Sequence, residues 1–268
     1  MKSNFFNDHE KIIEDNFLED GYIESPLKNY SFVLKIRYEI YKIFEENYLS
    51  STNRPKDIDY FFDNTHLFIP QDELNKFRLE VIKKMNSRSF LRPKLYQNTK
   101  SYINSIVGNE LSMQRNVNFS IQYPHDKSSL LPLHSDVWNG NSPYEVVLWV
   151  PLTDCYKTRS MYLIPRKKND QIMRNFKQYS YLDSENLFKE FEKDFIFLNT
   201  RLGSYVIFSH TLMHGNRLND EPHTRWSINV RFKSLLSPYR AKELGETFEP
   251  ITIRPLTRLG FDYFTPEV

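Results

Sequence analysis

From about Gln114 onward the sequence breaks into short runs rich in β-branched and aromatic residues, separated by turn formers, and this texture limits the fold more than any other feature. The runs are "VNFSIQY" (117–123), "YEVVLWVPL" (144–152), "SMYLIP" (160–165), "GSYVIFS" (203–209) and "RWSINVRF" (225–232). Short strands in such number bury their faces in a sandwich or barrel. Ahead of them the apolar spacing is helical: Val33, Ile36, Ile40, Ile43 and Phe44, then Leu74, Phe77, Val81 and Met85, then Tyr96, Thr99, Tyr102, Ile103 and Ile106. "DGYIES" (20–25) reads as a short strand before the first of these helices. The expectation is an α+β chain with a mainly helical flank over 1–110, a β-rich core over 111–236 and a C-terminal tail over 237–268.

A charged, helix-like insertion interrupts the strands at about 167–195. Leu187, Phe188, Phe191 and Phe195 share one apolar face behind the cap candidates Asp183 and Ser184, which places this insertion over one end of the core. No internal repeat or linker divides the chain, so 1–268 is expected to be one domain. Hydrophobic residues make up 40% and aromatics 15%, enough for a packed interior.

Lys and Arg number 36 against 34 acidic residues. That balance gives no electrostatic case for nucleic acid or a charged membrane surface and directs attention to a small-molecule partner. The short basic run at 166–168, within "PRKKND", reads as a solvated helix start, with contact to a phosphate-bearing substrate as the alternative. Cys155 is the single cysteine, which excludes an intrachain disulfide and a cysteine-only metal site and leaves it as a buried or bystander thiol. Neither a signal-peptide core nor a membrane-spanning apolar run is visible, and the expected location is the cytoplasm.

The chemistry concentrates in two places. In "LPLHSDVWNG" (131–140), His134 and Asp136 stand two apart, and on a strand such residues point to the same side. The pair alone is commonplace, but "YVIFSHTLMHGNRLNDEPHTRWSINVRF" (205–232) supplies a third ligand type in His214, followed by Gly215. Two imidazoles and one carboxylate form the facial set suited to non-haem Fe(II) with open positions. His210, four residues before His214, competes as third ligand; Gly215 and the distance to Arg225 favour His214. In "RWSINVRF", Arg225, Ser227, Asn229 and Arg231 share one face. A guanidinium directed into a barrel is costly unless paired, and the far carboxylate of a 2-oxo acid such as 2-oxoglutarate offers the counter-ion, with Ser227 adding a hydroxyl. Arg231 competes for that role, with a structural or substrate-facing ion pair as its other reading.

These residues resemble the Fe(II)- and 2-oxoglutarate-dependent dioxygenases, specifically those similar to phytanoyl-CoA hydroxylase. The resemblance lies in His-x-Asp, Trp149 within "VVLWVPLTD", the "YLIP" run, "HG", and an Arg eleven residues past its His; "GYIESP" ahead of a long helix adds to it. It implies a double-stranded β-helix, a cupin-like jelly roll flanked by N-terminal helices. It implies that His134, Asp136 and His214 ligate iron and that Arg225 holds 2-oxoglutarate. Trp149 and Asn216 then fall along the cosubstrate pocket, and Asn118 or Gln122 at its chelating end. Oxygen is the further cosubstrate, and oxidation of a substrate C–H bond is coupled to conversion of 2-oxoglutarate to succinate, with no side chain needed as a general base. Asp136 points to hydroxylation rather than halogenation. The overall pattern is similar to a branch found with bacterial surface-carbohydrate biosynthesis genes, which implies a sugar, nucleotide-sugar or related polar substrate. Two readings remain beside it: a cupin-like metal-dependent sugar isomerase or epimerase, which has no need of Arg225, and a non-catalytic carbohydrate-binding jelly roll.

Overall fold

The computed structural model describes residues 5–49 and 54–264. Helix α1 (Asp8–Asp20) begins at a reciprocal cap between Asn7 and Glu10 and ends at Gly21, whose φ of 76° turns the chain directly into strand β1 (Tyr22–Pro26). A side chain at Gly21 would also press on Leu212 at 2.9 Å. The helical spacings become α2 (Tyr30–Asn47), α5 (Leu74–Asn86) and α6 (Leu91–Val107), with the short α3 (Ile58–Asp63) and α4 (Thr65–Phe68) between them. Asn29 caps α2, and its own backbone N–H donates to the Asn98 side chain of α6, which ties the two helices together.

The strands follow: β2 (Leu111–Gln114), β3 (Asn118–Gln122), β4 (Glu145–Pro151), β5 (Met161–Leu163), β6 (Ile196–Phe197), β7 (Ser204–Ser209), β8 (His214–Asn216), β9 (Arg225–Ser234) and β10 (Phe248–Thr252). All pair antiparallel. The larger sheet runs β1-β7-β4-β9-β2-β10, with β3 also on β9; the smaller is β6-β5-β8. Val147 and Trp149 of β4 and Val206 and Phe208 of β7 meet Met161 and Leu163 of β5 in one apolar cluster, so the two sheets face each other. This is the double-stranded β-helix core.

Period-two alternation explains how the larger sheet serves two purposes. On β9, Trp226, Ile228, Val230 and Phe232 join the cluster formed with the buried faces of α2, α5 and α6. The Trp226 indole N–H donates to Thr65 Oγ1 at 2.8 Å, so its polar edge is satisfied in that core. Arg225, Ser227, Asn229 and Arg231 point the other way, between the sheets.

The insertion holds α7 (Arg166–Arg174) and α8 (Ser184–Glu190), the latter capped by Asp183. Leu187, Phe188, Phe191 and Phe195 pack on Tyr162, Leu133 and Met213 and seal one flank of the smaller sheet. Past residue 236 the chain does more than trail: β10 pairs with β2 at the sheet edge, and α9 (Pro255–Phe261) follows. Among the described residues no helix is long and apolar enough to cross a membrane.

Candidate functional site

His134 and His214 lie directly opposite each other in an antiparallel bridge. The His134 N–H donates to the His214 carbonyl at 3.0 Å, and the His214 N–H donates back at 2.8 Å. Residues paired in this way project to the same face, and here the ring centroids come within 4.3 Å. The strand expected through 134–136 is reduced to this one bridge. Ser135 remains extended, but Asp136 already opens a 3₁₀ turn, Asp136–Asn139. The extended Ser135 is enough to return Asp136 to the side of His134, and the Ser135 hydroxyl, donating to the His210 carbonyl at 2.9 Å, holds the turn in place.

One donor atom from each of His134, Asp136 and His214 falls within 4.8 Å of the others. Nδ1 of His134 lies 2.9 Å from the Pro132 carbonyl, and Nδ1 of His214 lies 2.9 Å from that of Leu212. A carbonyl only accepts, so each Nδ1 carries the proton and each Nε2 presents a lone pair, the state in which imidazole binds a metal. Burial, with His134 beside it, pushes the His214 imidazole down to about 4, so it is neutral near pH 7. Burial alone would push the Asp136 carboxyl up, but the Arg231 guanidinium and the surrounding histidines outweigh it and the net shift is downward. Two imidazole nitrogens and one carboxylate oxygen suit a divalent transition metal, and among the described residues no other His, Cys, Asp or Glu joins the cluster.

Gly215 is required by close approach. A Cβ there would lie 2.6 Å from Tyr162 Oη and 2.7 Å from the Leu131 carbonyl.

The three residues open onto a cavity of about 280 Å³ whose walls include Trp149, Asn216, Arg225 and Ser227. Arg225 is buried, and among the described residues its Nε and NH1 have no partner, while NH2 reaches Ser120 Oγ at 3.3 Å. Burial lowers the Arg225 pKa, the mark of a cation without a counter-charge. Asn216 turns its amide to the chain around it, accepting from the Leu131 N–H at 2.6 Å and donating to the Ser129 carbonyl at 3.1 Å.

Asn118 and Gln122 are not walls of the cavity. Asn118 donates to Asn229 Oδ1 at 3.0 Å, and Gln122 donates to the Arg217 carbonyl at 2.6 Å. Between them Ser120, opposite Ser227 in the register, occupies the wall instead. Arg231 is committed to Asp136, with NH2 at 3.2 Å from Oδ1, and to Gln114. His210 lies outside the ligand trio and behind it, fully buried, 3.4 Å from Asp136 Oδ2 and 3.2 Å from Glu145 Oε2. The basic run at 166–168 stays away from the cavity: Arg166 binds the Leu18 carbonyl and Asp170, and Lys168 pairs with Asp194. Cys155 is buried, which pushes its thiol up to about 11.

No protein-family model matches the sequence, and no curated protein matches it. Solved structures do. The chain is similar to a non-haem monooxygenase, ThoJ, in its nickel complex, at 14% identity over 90% of this chain and 84% of that one, with a TM-score of 0.57. It is similar to HygX from Streptomyces hygroscopicus with nickel and 2-oxoglutarate bound, at 12% identity, 87% and 89% coverage and a TM-score of 0.54. The α-ketoglutarate-dependent epimerase SnoN of nogalamycin biosynthesis matches at 13% identity, 87% and 85% coverage and a TM-score of 0.52. At such identities the likeness is one of architecture, and the helix-flanked double-stranded β-helix is the fold this chain shares with these non-haem enzymes.

Proposed function

We propose that this protein is an Fe(II)- and 2-oxoglutarate-dependent oxygenase that hydroxylates a small polar metabolite. The observation that carries the reading is Arg225: a buried guanidinium with two unpartnered nitrogens, in the same cavity as two imidazoles and a carboxylate. An unpaired buried cation is costly, and a site keeps one where a ligand brings the anion. A carboxylate at Arg225 and a metal at the trio are the two anchors that a 2-oxo diacid needs. A metal-dependent isomerase has no use for the first.

His134, Asp136 and His214 would hold the metal, which when bound supplies oxygen activation coupled to loss of carbon dioxide from 2-oxoglutarate. Everything else is the work of the chain. Arg225 pairs with the distal carboxylate, and Ser227 and Ser120 border it with hydroxyls. Trp149, Val147 and Phe208 give the cavity an apolar wall that displaces water from the side facing the metal. Arg231 keeps Asp136 ionised and oriented, and no side chain need move a proton.

The folds of ThoJ, HygX and SnoN support this reading, and their printed activities span monooxygenation and epimerisation. We read hydroxylation as the outcome because Asp136 occupies the carboxylate position that halogenation would leave to chloride, and we read the substrate as a sugar or nucleotide-sugar met in the cytoplasm within a single-domain enzyme.

The test is an anaerobic titration with Fe(II) and 2-oxoglutarate, following the visible charge-transfer band of the chelate. The band is expected in the wild type, absent in Asp136→Ala, and displaced to much higher 2-oxoglutarate in Arg225→Ala. Metal binding without any band points to the isomerase, and no metal binding to a carbohydrate-binding module.

A further inference from the structure

The cavity holds more positive charge than a metal and 2-oxoglutarate account for. Its walls carry the guanidinium groups of Arg78, Arg225 and Arg231 and the carboxylate of Asp136, with no other acidic side chain among the described residues. A divalent metal and the dianion of 2-oxoglutarate cancel each other, so the excess of cation survives loading. Of the three guanidinium groups, Arg231 is hydrogen-bonded to Asp136 and Arg225 faces the place read for the cosubstrate carboxylate, which leaves Arg78 without an assigned anion.

Arg78 projects from α5, which packs against β3. Among the described residues its side chain has one polar partner, Asn75 Oδ1 at 2.6 Å on its own helix, and no carboxylate within ion-pair distance. It stands where the cavity meets a second one of about 300 Å³, whose walls are Gln71, Asn75, Ser120, Ser128 and Ser129 together with the apolar Leu74 and Ile121, and it borders both. The nearby acid, Asp126, is already saturated: it accepts from Gln71 Nε2, from the Ser128 N–H and from the hydroxyls of Ser128 and Ser129. The second cavity is thus a largely polar recess whose Gln71, Ser128 and Ser129 donors already serve Asp126, with Arg78 the cation at its entrance, opening onto the candidate metal site.

We propose that Arg78 is a specificity residue that seats an oxyanion of the substrate, a carboxylate or a phosphate, in this recess, so that the substrate is an acidic small molecule rather than a neutral one. The proposal rests on the oxygenase reading only for which anions fill the rest of the cavity. A planar guanidinium gives either group two parallel hydrogen bonds. The rest of the substrate then extends along the shared wall toward His134 and Asp136, and the oxyanion fixes which carbon arrives there.

The experiment is calorimetric titration of inorganic phosphate, and separately of acetate, into protein saturated with Ni(II) and 2-oxoglutarate, so that the trio and Arg225 are filled. Saturable binding of one of the two anions is expected in the wild type, and the preferred one tells phosphate from carboxylate. Arg78→Gln is expected to weaken it at least tenfold, while Lys76→Gln, an exposed change on the same helix, leaves it unchanged. Equal affinity in Arg78→Gln and wild type, or no saturable binding of either anion, overturns the proposal. If Ni(II) and 2-oxoglutarate fail to load, the oxygenase reading falls by itself. The same titration on unloaded Arg225→Gln protein, with and without Arg78→Gln, then decides the Arg78 site.

Discussion

Nε2 of His210 lies 3.4 Å from Oδ2 of Asp136, the carboxylate that Arg231 NH2 reaches at 3.2 Å from Oδ1 and 3.4 Å from Oδ2. The ring has no exposed surface, and Nδ1 on its other edge faces Glu145 Oε2 at 3.2 Å, itself buried at the start of β4. Glu145 is further held by the Ser142 N–H at 2.9 Å. Asp136 is thus hydrogen-bonded by Arg231 and packed against the buried His210 ring, whose two nitrogens make no hydrogen bond among the described residues. Partners that orient a metal-binding carboxylate are worth roughly 10- to 100-fold in affinity. His210→Phe is expected to weaken Co(II) binding by about that factor, read by competitive titration, whereas Glu145→Gln, which keeps a polar contact to Nδ1, loses less. Wild-type affinity in His210→Phe removes the orienting role.

Acid should unfold the metal-free protein through its buried imidazoles. Burial pushes His214 down to about 4 and His210 down to about 3, below the 6.5 of a free histidine. The unfolded chain then binds more protons than the folded one as pH drops below 6.5, so their contribution to stability is complete above that value and shrinks as pH falls toward 4. Asp136, lowered by Arg231 and the surrounding histidines, adds a loss only as pH falls below the 3.8 of a free aspartate. The melting temperature is expected to decline by several degrees from pH 7 to pH 5, and His210→Phe to flatten the decline. A flat wild-type profile contradicts this assignment.

Arg225 sets stability against binding. Its buried, unpartnered nitrogens cost the ligand-free fold, so Arg225→Met, of similar length and no charge, is expected to raise the melting temperature of the ligand-free protein while lowering 2-oxoglutarate affinity at least 100-fold. Wild-type protein gains the stability back on adding 2-oxoglutarate with metal, and the variant does not. A variant less stable than wild type shows that Arg225 has a structural partner.

Gly215→Ala tests the close packing behind His214. The new methyl would meet Tyr162 Oη and the Leu131 carbonyl below 3 Å, for a cost on the order of 1–3 kcal/mol in overpacking. Tyr162→Phe in the same chain is expected to restore part of that loss, because the hydroxyl can be removed and the carbonyl cannot. Differential scanning calorimetry of the two variants and their combination measures it.

The sequence displays what depends on local periodicity. The parity of β9 announces which of its residues face the core and which the cavity, and the order of His134, Asp136, His214 and Arg225 survives intact into one site. Residues whose place depends on register or on packing between distant elements stay hidden. Ser120 reaches the cavity because β3 pairs with β9 so that it stands opposite Ser227, while Asn118 and Gln122, of the same parity, are turned to Asn229 and the Arg217 carbonyl. Arg78 arrives on a helix that reads as scaffold, and Glu145 looks like a solvent-facing strand residue until its neighbours enclose it. Strand β10 is masked by Pro250, a residue that a strand tolerates at a sheet edge, where no partner needs its missing N–H.

The amide of Asn216 fastens Ser129 and Leu131 to the strand that carries His214, and Leu130 and Leu131, both well exposed, stand at the mouth of the cavity. The doorway is thus bolted to the frame that holds the innermost fixture. Threshold and fixture are therefore one hydrogen-bonded piece, and the bolt sits two residues from the imidazole.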